Sequence, residues 1–170
     1  IDYEVTSGTL DYRVTSENAV NYASQDGYYM DLVSSANGQE GERVVSNAIL
    51  RRDRIIFTTS IPSQDACDWG GESWLMELDA VNGTALTYAV IDVNGDGIID
   101  NLDKVDIDGD GNPDRFVTGK RMDGLGEPGA IISAGDVEYK YISTSTRAIN
   151  VTLEQGGGED FARQSWIQIQ

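Results

Sequence analysis

One acidic stretch, residues 92–114, constrains the fold of this chain more than any other part of its sequence. It reads DVNGDGIIDNLDKVDIDGDGNPD and holds eight aspartates against one lysine. Carboxylates at this density repel one another unless water screens them or a cation neutralises them. A solvated acidic linker with Asp-Gly turns is the simpler alternative, but the spacing of the oxygen-bearing residues favours a bound cation.

The first half of the stretch follows the ligand order of an EF-hand calcium loop. Such a loop has side-chain oxygens at positions 1, 3, 5, 9 and 12, a glycine at position 6 and a backbone carbonyl ligand at position 7. The matching residues are Asp92, Asn94, Asp96, Gly97, Ile98, Asp100 and Asp103. Glutamate is usual at position 12, where this chain has Asp103. The spacing therefore predicts a calcium site.

The second half of the stretch repeats the same order. Asp106, Asp108, Asp110, Asn112 and Asp114 fall at positions 1, 3, 5, 7 and 9, and position 12 is Val117, so this loop has one ligand fewer. The chain has no histidine and one cysteine, which makes zinc and copper poor candidates, and a flexible all-oxygen site suits calcium better than magnesium. We therefore predict Ca2+ as the cofactor, bound by one loop or by both.

The overall charge restricts the partners. The formal net charge of −17 argues against nucleic acid and against anionic membranes. No segment resembles a signal peptide or a membrane span. Millimolar calcium is an extracytoplasmic condition, so we expect the chain to lie outside the cytoplasm. It begins at Ile1 rather than at a methionine, which suggests a piece of a longer, processed protein, with residues 1–170 forming one domain or part of one.

Short β-rich segments separated by turn signals predict an all-β fold of antiparallel sheets, in a sandwich or a propeller. Residues 42–61 form the strongest hairpin. Residues 73–79 are expected to turn at Asn82-Gly83 and return as 84–91, directly into the acidic insertion at 92–114. Further strands are expected at 3–14, 28–33, 116–117, 130–133, 137–143 and 147–153. In residues 163–170, Trp166, Ile167 and Ile169 alternate among polar groups. Cys67 has no partner cysteine within the chain.

Several motifs fall in the order found in one known family. Residues 41–83, GERVVSNAILRRDRIIFTTSIPSQDACDWGGESWLMELDAVNG, resemble the C-terminal domain of the PilY-type type IV pilus biogenesis and adhesion proteins. Residues 92–100, AIIS at 130–133 and RQSW at 163–166 resemble the same family. The resemblance covers roughly residues 28–170, and the first 27 residues do not share it.

The resemblance implies that the chain is part of a larger β-propeller, with calcium bound in a nine-residue loop at Asp92, Asn94, Asp96, Ile98 and Asp100. It implies a non-enzymatic role at the bacterial cell surface, the pilus, or the outer membrane and periplasm. In that family, whether calcium is bound is linked to the balance between pilus extension and retraction, to twitching motility and to surface adhesion. The implied partners are pilins or minor pilins, the rest of the propeller, and a host or surface receptor. The second acidic loop departs from the family pattern.

Three alternatives compete with this interpretation. A dockerin-like protein-binding module has a similar calcium loop, but it needs a helix after each loop, and Pro113 and a second acidic loop follow here. An enzyme is disfavoured by the lack of histidine, of a serine-based triad and of a cofactor loop, although a glycosidase-like carboxylate pair is compatible with the sequence. In the third alternative, calcium only holds an extracellular β domain together.

Overall fold

The computed structural model describes residues 3–65 and 70–156 of the chain, and these form twelve β-strands. Every strand pair is antiparallel, and no helix occurs within these two ranges. The antiparallel all-β prediction is therefore confirmed for this part of the chain. Cys67, the RQSW motif and the alternating residues 163–170 lie outside the described residues.

The larger sheet has six strands. From one edge to the other they are β1 (Tyr3–Ser7), β2 (Leu10–Val14), β8 (Gly119–Asp123), β5 (Gly71–Asp79), β4 (Arg54–Pro62) and β3 (Ile49–Arg51). The long central pair, β4 and β5, runs in register from Arg54 opposite Asp79 to Pro62 opposite Gly71. The hairpin predicted at 42–61 is present as β3 and β4, and its first half is limited to residues 49–51 and a bridge between Arg43 and Ser60.

The smaller sheet has four strands and lies later in the chain. They are β9 (Gly126–Glu127), β10 (Ile131–Ala134), β11 (Val137–Thr144) and β12 (Ile149–Gln155), and β11 pairs with each of the other three. A separate two-stranded ladder joins β6 (Lys104–Val105) to β7 (Arg115–Phe116). The strands predicted at 116–117, 130–133, 137–143 and 147–153 correspond to β7, β10, β11 and β12.

The two sheets pack face to face. Ile56, Leu75 and Met122 of the larger sheet contact Ile142 of the smaller one in one buried cluster. Alternate residues of a strand point to opposite faces, so residues two apart lie on the same face. This places these side chains in the interface between the sheets. A second cluster joins the edge of the larger sheet to the segment that carries the acidic loops: Tyr12, Val14, Leu86, Val90, Ile91, Val105 and Val117.

A network of charged side chains is also buried between the sheets. Arg54 Nη1 lies 3.0 Å from Glu77 Oε2, and the Lys140 ammonium contacts both Glu77 and Glu154. Glu138 pairs with Arg51 and lies 3.8 Å from Arg54 Nη2. Buried charges persist in proteins when each has a partner, and here three cations face three carboxylates.

Two predicted strands are absent. Residues 28–33 form no strand, and residues 84–91 contribute only a single bridge, from Ile91 to Glu154. The return strand cannot form because β8 occupies the edge of β5 that it would have paired with. The apolar residues of 84–91 pack instead into the cluster around Tyr12 and Val14.

The strand order leaves both sheets open, so the propeller architecture stays a prediction. Within the described ranges, no helix has the length and hydrophobicity that crossing a membrane would require.

Candidate metal centre

Both acidic loops lie in the connection between β5 and β8, two neighbouring strands of the larger sheet. The chain is hydrogen-bonded to β12 at the start of the first loop: the backbone amide of Asp92 donates to Leu153 O at 3.3 Å, and Gln155 N donates to Val90 O at 2.8 Å. The second loop is the tip of the β6–β7 ladder. The predicted insertion at 92–114 is thus attached to β12 at its start and contains the β6–β7 ladder.

Side-chain oxygens of the first loop point inward and accept bonds from the loop's own backbone. Asp92 Oδ1 accepts from Gly95 N at 2.7 Å, and Asp92 Oδ2 accepts from Gly97 N at 3.0 Å. Asn94 Oδ1 accepts from Asp96 N, and Asp96 Oδ1 accepts from Ile98 N, both at 2.8 Å. Gly97 has φ of 82°, the left-handed conformation that glycine supplies at position 6.

Four bonds of the second loop match those of the first loop, position for position. Asp106 Oδ1 accepts from Gly109 N and Asp106 Oδ2 from Gly111 N, both at 2.7 Å. Asp108 Oδ1 accepts from Asp110 N at 3.1 Å, and Asp110 Oδ1 accepts from Asn112 N at 2.7 Å. Positions 1, 3 and 5 of both loops are therefore oriented in the same way, as their shared spacing predicts.

The loops differ in how many carboxylates they bring together. Asp106, Asp108 and Asp110 place ligand oxygens within 4.8 Å of one another, and they are the one such acidic group in the described part of the chain. Bonds from the amides of Gly111 and Gly109 lower the pKa of Asp106, which keeps its carboxylate charged. The first loop has Asn94 where the second has Asp108, so its donor set carries less charge.

The remaining predicted ligands lie at the outer ends of the loops. Asp100, Asn112 and Asp114 are exposed, and the Ile98 side chain is 60% exposed while its carbonyl occupies position 7. Asp100 Oδ1 accepts from Leu102 N at 2.7 Å. Asp103 differs from all of these because it is fully buried beneath the first loop. All of the predicted donors are oxygens, and this chemistry fits calcium.

Two residues at the base of the first loop were not predicted from the sequence. Burial raises the pKa of Tyr12, and the charges of Asp92 and Asp103 raise it further. Burial lowers the pKa of Lys120, while the charge of Asp92 opposes that shift. Both residues come from the larger sheet, β2 and β8, so no local motif could have associated them with the loop.

Comparison with known proteins identifies relatives along the whole chain, although no protein-family profile matches it. Two type IV pilus biogenesis factor PilY1 homologs of Xylella fastidiosa are similar in sequence. One is 36% identical over 76 residues, which is 44% of this chain and 5% of the relative. The other is 26% identical over 173 residues, which is 99% of this chain and 13% of the relative. The chain thus spans a small part of the length of these relatives.

The fold has a counterpart of known structure. The C-terminal domain of Pseudomonas aeruginosa PilY1 superposes with a TM-score of 0.63 and 21% sequence identity, over 88% of this chain and 30% of that domain. The resemblance predicted from the sequence motifs is therefore confirmed: in sequence the chain is similar to PilY1 homologs, and in fold it is similar to the PilY1 C-terminal domain.

Proposed function

We propose that this chain is the calcium-binding domain of a pilus-associated biogenesis factor or adhesin, which regulates type IV pilus extension and retraction, twitching motility and surface attachment. The observation that carries the calcium part is the identical orientation of positions 1, 3 and 5 in two consecutive loops. The similarity to PilY1 homologs supports the pilus part.

In this proposal each loop supplies its own ligands. Asp92, Asn94, Asp96, the Ile98 carbonyl and Asp100 hold calcium in the first loop, and Asp106, Asp108, Asp110, the Asn112 carbonyl and Asp114 do so in the second. The second loop is the stronger candidate because three of its carboxylates already converge. Bound calcium would neutralise carboxylates that otherwise repel one another across the connection between β5 and β8.

The regulatory effect would come from where the first loop is attached. Its first residue, Asp92, bonds to β12 of the smaller sheet, while Val90 and Ile91 beside it pack against Tyr12 and Val14 of the larger sheet. Ordering this loop therefore biases how the two sheets meet at one end of the domain. Such a local change of charge can select between two arrangements of the two sheets.

The cellular setting follows from the relatives and is part of the proposal. We place the protein outside the cytoplasm, at the cell surface, the pilus, or the outer membrane and periplasm. Its partners would be pilins or minor pilins, the remainder of its own propeller, and a surface receptor. We also propose that it is not an enzyme, because the whole chain lacks histidine, the residue that most often acts as a general base.

The dockerin-like alternative is disfavoured by the structure. A strand, β6, begins at Lys104 immediately after the first loop, and the second loop runs into β7. A dockerin needs a helix at both places.

Calcium binding is tested by isothermal titration calorimetry on the whole chain. Asp92→Ala should remove binding at the first loop and Asp106→Ala at the second, and the double variant should bind none. Asp26→Ala is a matched control, because Asp26 is an exposed aspartate outside both loops. Absence of calcium binding by the unaltered chain would refute the proposal.

The regulatory role is tested in the intact bacterium by comparing surface level with motility. Alanine at Asp92 and Asp96 should alter twitching or attachment while the protein still reaches the surface. Normal export together with unchanged twitching would leave calcium with a purely structural role.

A further inference from the structure

Asp103 has contacts unlike those of any other carboxylate in the two loops. Its side chain is fully buried, whereas the other loop aspartates are half-buried or exposed. Asp103 Oδ1 accepts from Val93 N at 2.8 Å and from Asn94 N at 3.4 Å, and Asp103 Oδ2 accepts from Asp100 N at 2.9 Å. One carboxylate thus ties the beginning of the first loop to its end.

The position of these oxygens does not suit a ligand. Asp103 lies on the buried side of the first loop, whereas the predicted ligands Asn94, Asp96 and Asp100 are exposed. Its two oxygens accept from amides at opposite ends of the loop, Val93 N and Asp100 N. The oxygens of Asp92 accept instead from Gly95 and Gly97, within the turn that would surround an ion.

The second loop shows why the first needs such a residue. The ends of the second loop are held together by the β6–β7 ladder, with Lys104 opposite Phe116, Val105 opposite Arg115, and Asp114 N donating to Val105 O at 3.1 Å. Its position 12 is Val117, a core residue. The first loop has no ladder across its ends, and Asp103 is the group that joins them.

We propose that Asp103 is a positioning residue, which closes the first loop in the calcium-free protein, and is not a ligand of the ion. A preformed loop loses less conformational freedom when it binds an ion. Asp103 therefore strengthens calcium binding indirectly. This last step rests on the function proposed above, whereas closure of the loop does not.

The test is amide hydrogen exchange of the whole chain with a chelator present, followed by calcium titration. In Asp103→Ala we expect the Val93 and Asp100 amides to exchange about tenfold faster than in the unaltered chain, because each loses its acceptor. Asp103→Asn keeps one acceptor oxygen and should accelerate only one of the two amides. Asp96→Ala should leave both amides unchanged and weaken calcium binding.

Each outcome decides a different point. Unchanged exchange in Asp103→Ala, together with a loss of calcium affinity equal to that of Asp96→Ala, would make Asp103 a ligand and overturn the proposal. If Asp103→Ala fails to fold, Asp103→Asn decides between the two roles by the same amides. If the unaltered chain binds no calcium, the proposed function fails, and the exchange rates still show whether Asp103 closes the loop.

Discussion

Replacing Lys140 by methionine should strongly destabilise the protein. The Lys140 nitrogen lies between Glu77 and Glu154, all three side chains are at least 97% buried, and Glu77 keeps a second partner in Arg54 at 3.0 Å. Glu154 has no other cation partner in the described ranges. Lys140→Met therefore leaves a buried carboxylate without compensation, and breaking a buried pair in this way costs about 3–5 kcal/mol.

The protonation state of Lys140 does not change this expectation. Burial lowers the pKa of Lys140 to about 6, and the two carboxylates in contact with its nitrogen favour the charged form. The nitrogen donates to Glu77 and contacts the Glu154 carboxylate, and a methionine side chain offers no such donor. The loss is a large fraction of the total stability of a domain, which is typically about 5–15 kcal/mol.

The assay is urea unfolding of the unaltered chain and three variants, read as free energies of unfolding. Glu154→Leu should cost less than Lys140→Met, because Lys140 keeps Glu77. The double variant, with both Lys140→Met and Glu154→Leu, should recover most of the free energy of unfolding that Lys140→Met loses. Buried ion pairs can be replaced by apolar residues with little net change in that free energy. A loss below about 1 kcal/mol for Lys140→Met, or no recovery in the double variant, would refute the reasoning.

Three further outcomes are expected. Gly119→Ala should lower the free energy of unfolding by about 1–3 kcal/mol, because a Cβ there would lie 2.5 Å from Met76 Sδ; an unchanged urea midpoint would contradict this. Burial and the charge of Asp53 raise the pKa of Tyr88 to about 12, so its stabilising contribution is complete below pH 10 and is lost between pH 10 and 12. Ultraviolet titration should show a late tyrosine step, near pH 12, that Tyr88→Phe removes. Calcium at one hundred times its Kd should stabilise the chain by about 2.7 kcal/mol, and equal melting temperatures in chelator and in calcium would rule this out.

The features that could be predicted from the sequence are those determined by neighbouring residues. The β3–β4 and β10–β11 hairpins each join two adjacent segments through a short turn, so alternation and turn residues suffice to identify them. The orientation of Asp92 and Asp106 also follows from spacing within a few residues.

The features that could not be predicted depend on residues far apart in the chain. The segment 84–91 is apolar enough for a strand, but the edge of β5 is taken by β8, which local alternation cannot reveal. The burial of Asp103 and the approach of Lys120 to the first loop arise from packing of β2 and β8 against the loop connection. EF-hand spacing places Asp103 at position 12 of the first loop, but spacing does not report that its side chain is fully buried.

The position of both acidic loops between β5 and β8 also affects how the protein folds. These strands are neighbours in the larger sheet, yet residues 80–118 separate them along the chain. The sheet cannot be completed until this connection closes, and pairings between distant residues are slow because chain entropy is lost before contacts form. Calcium held in either loop would shorten the freely moving part of the connection. Calcium bound as proposed above would therefore speed the completion of the larger sheet.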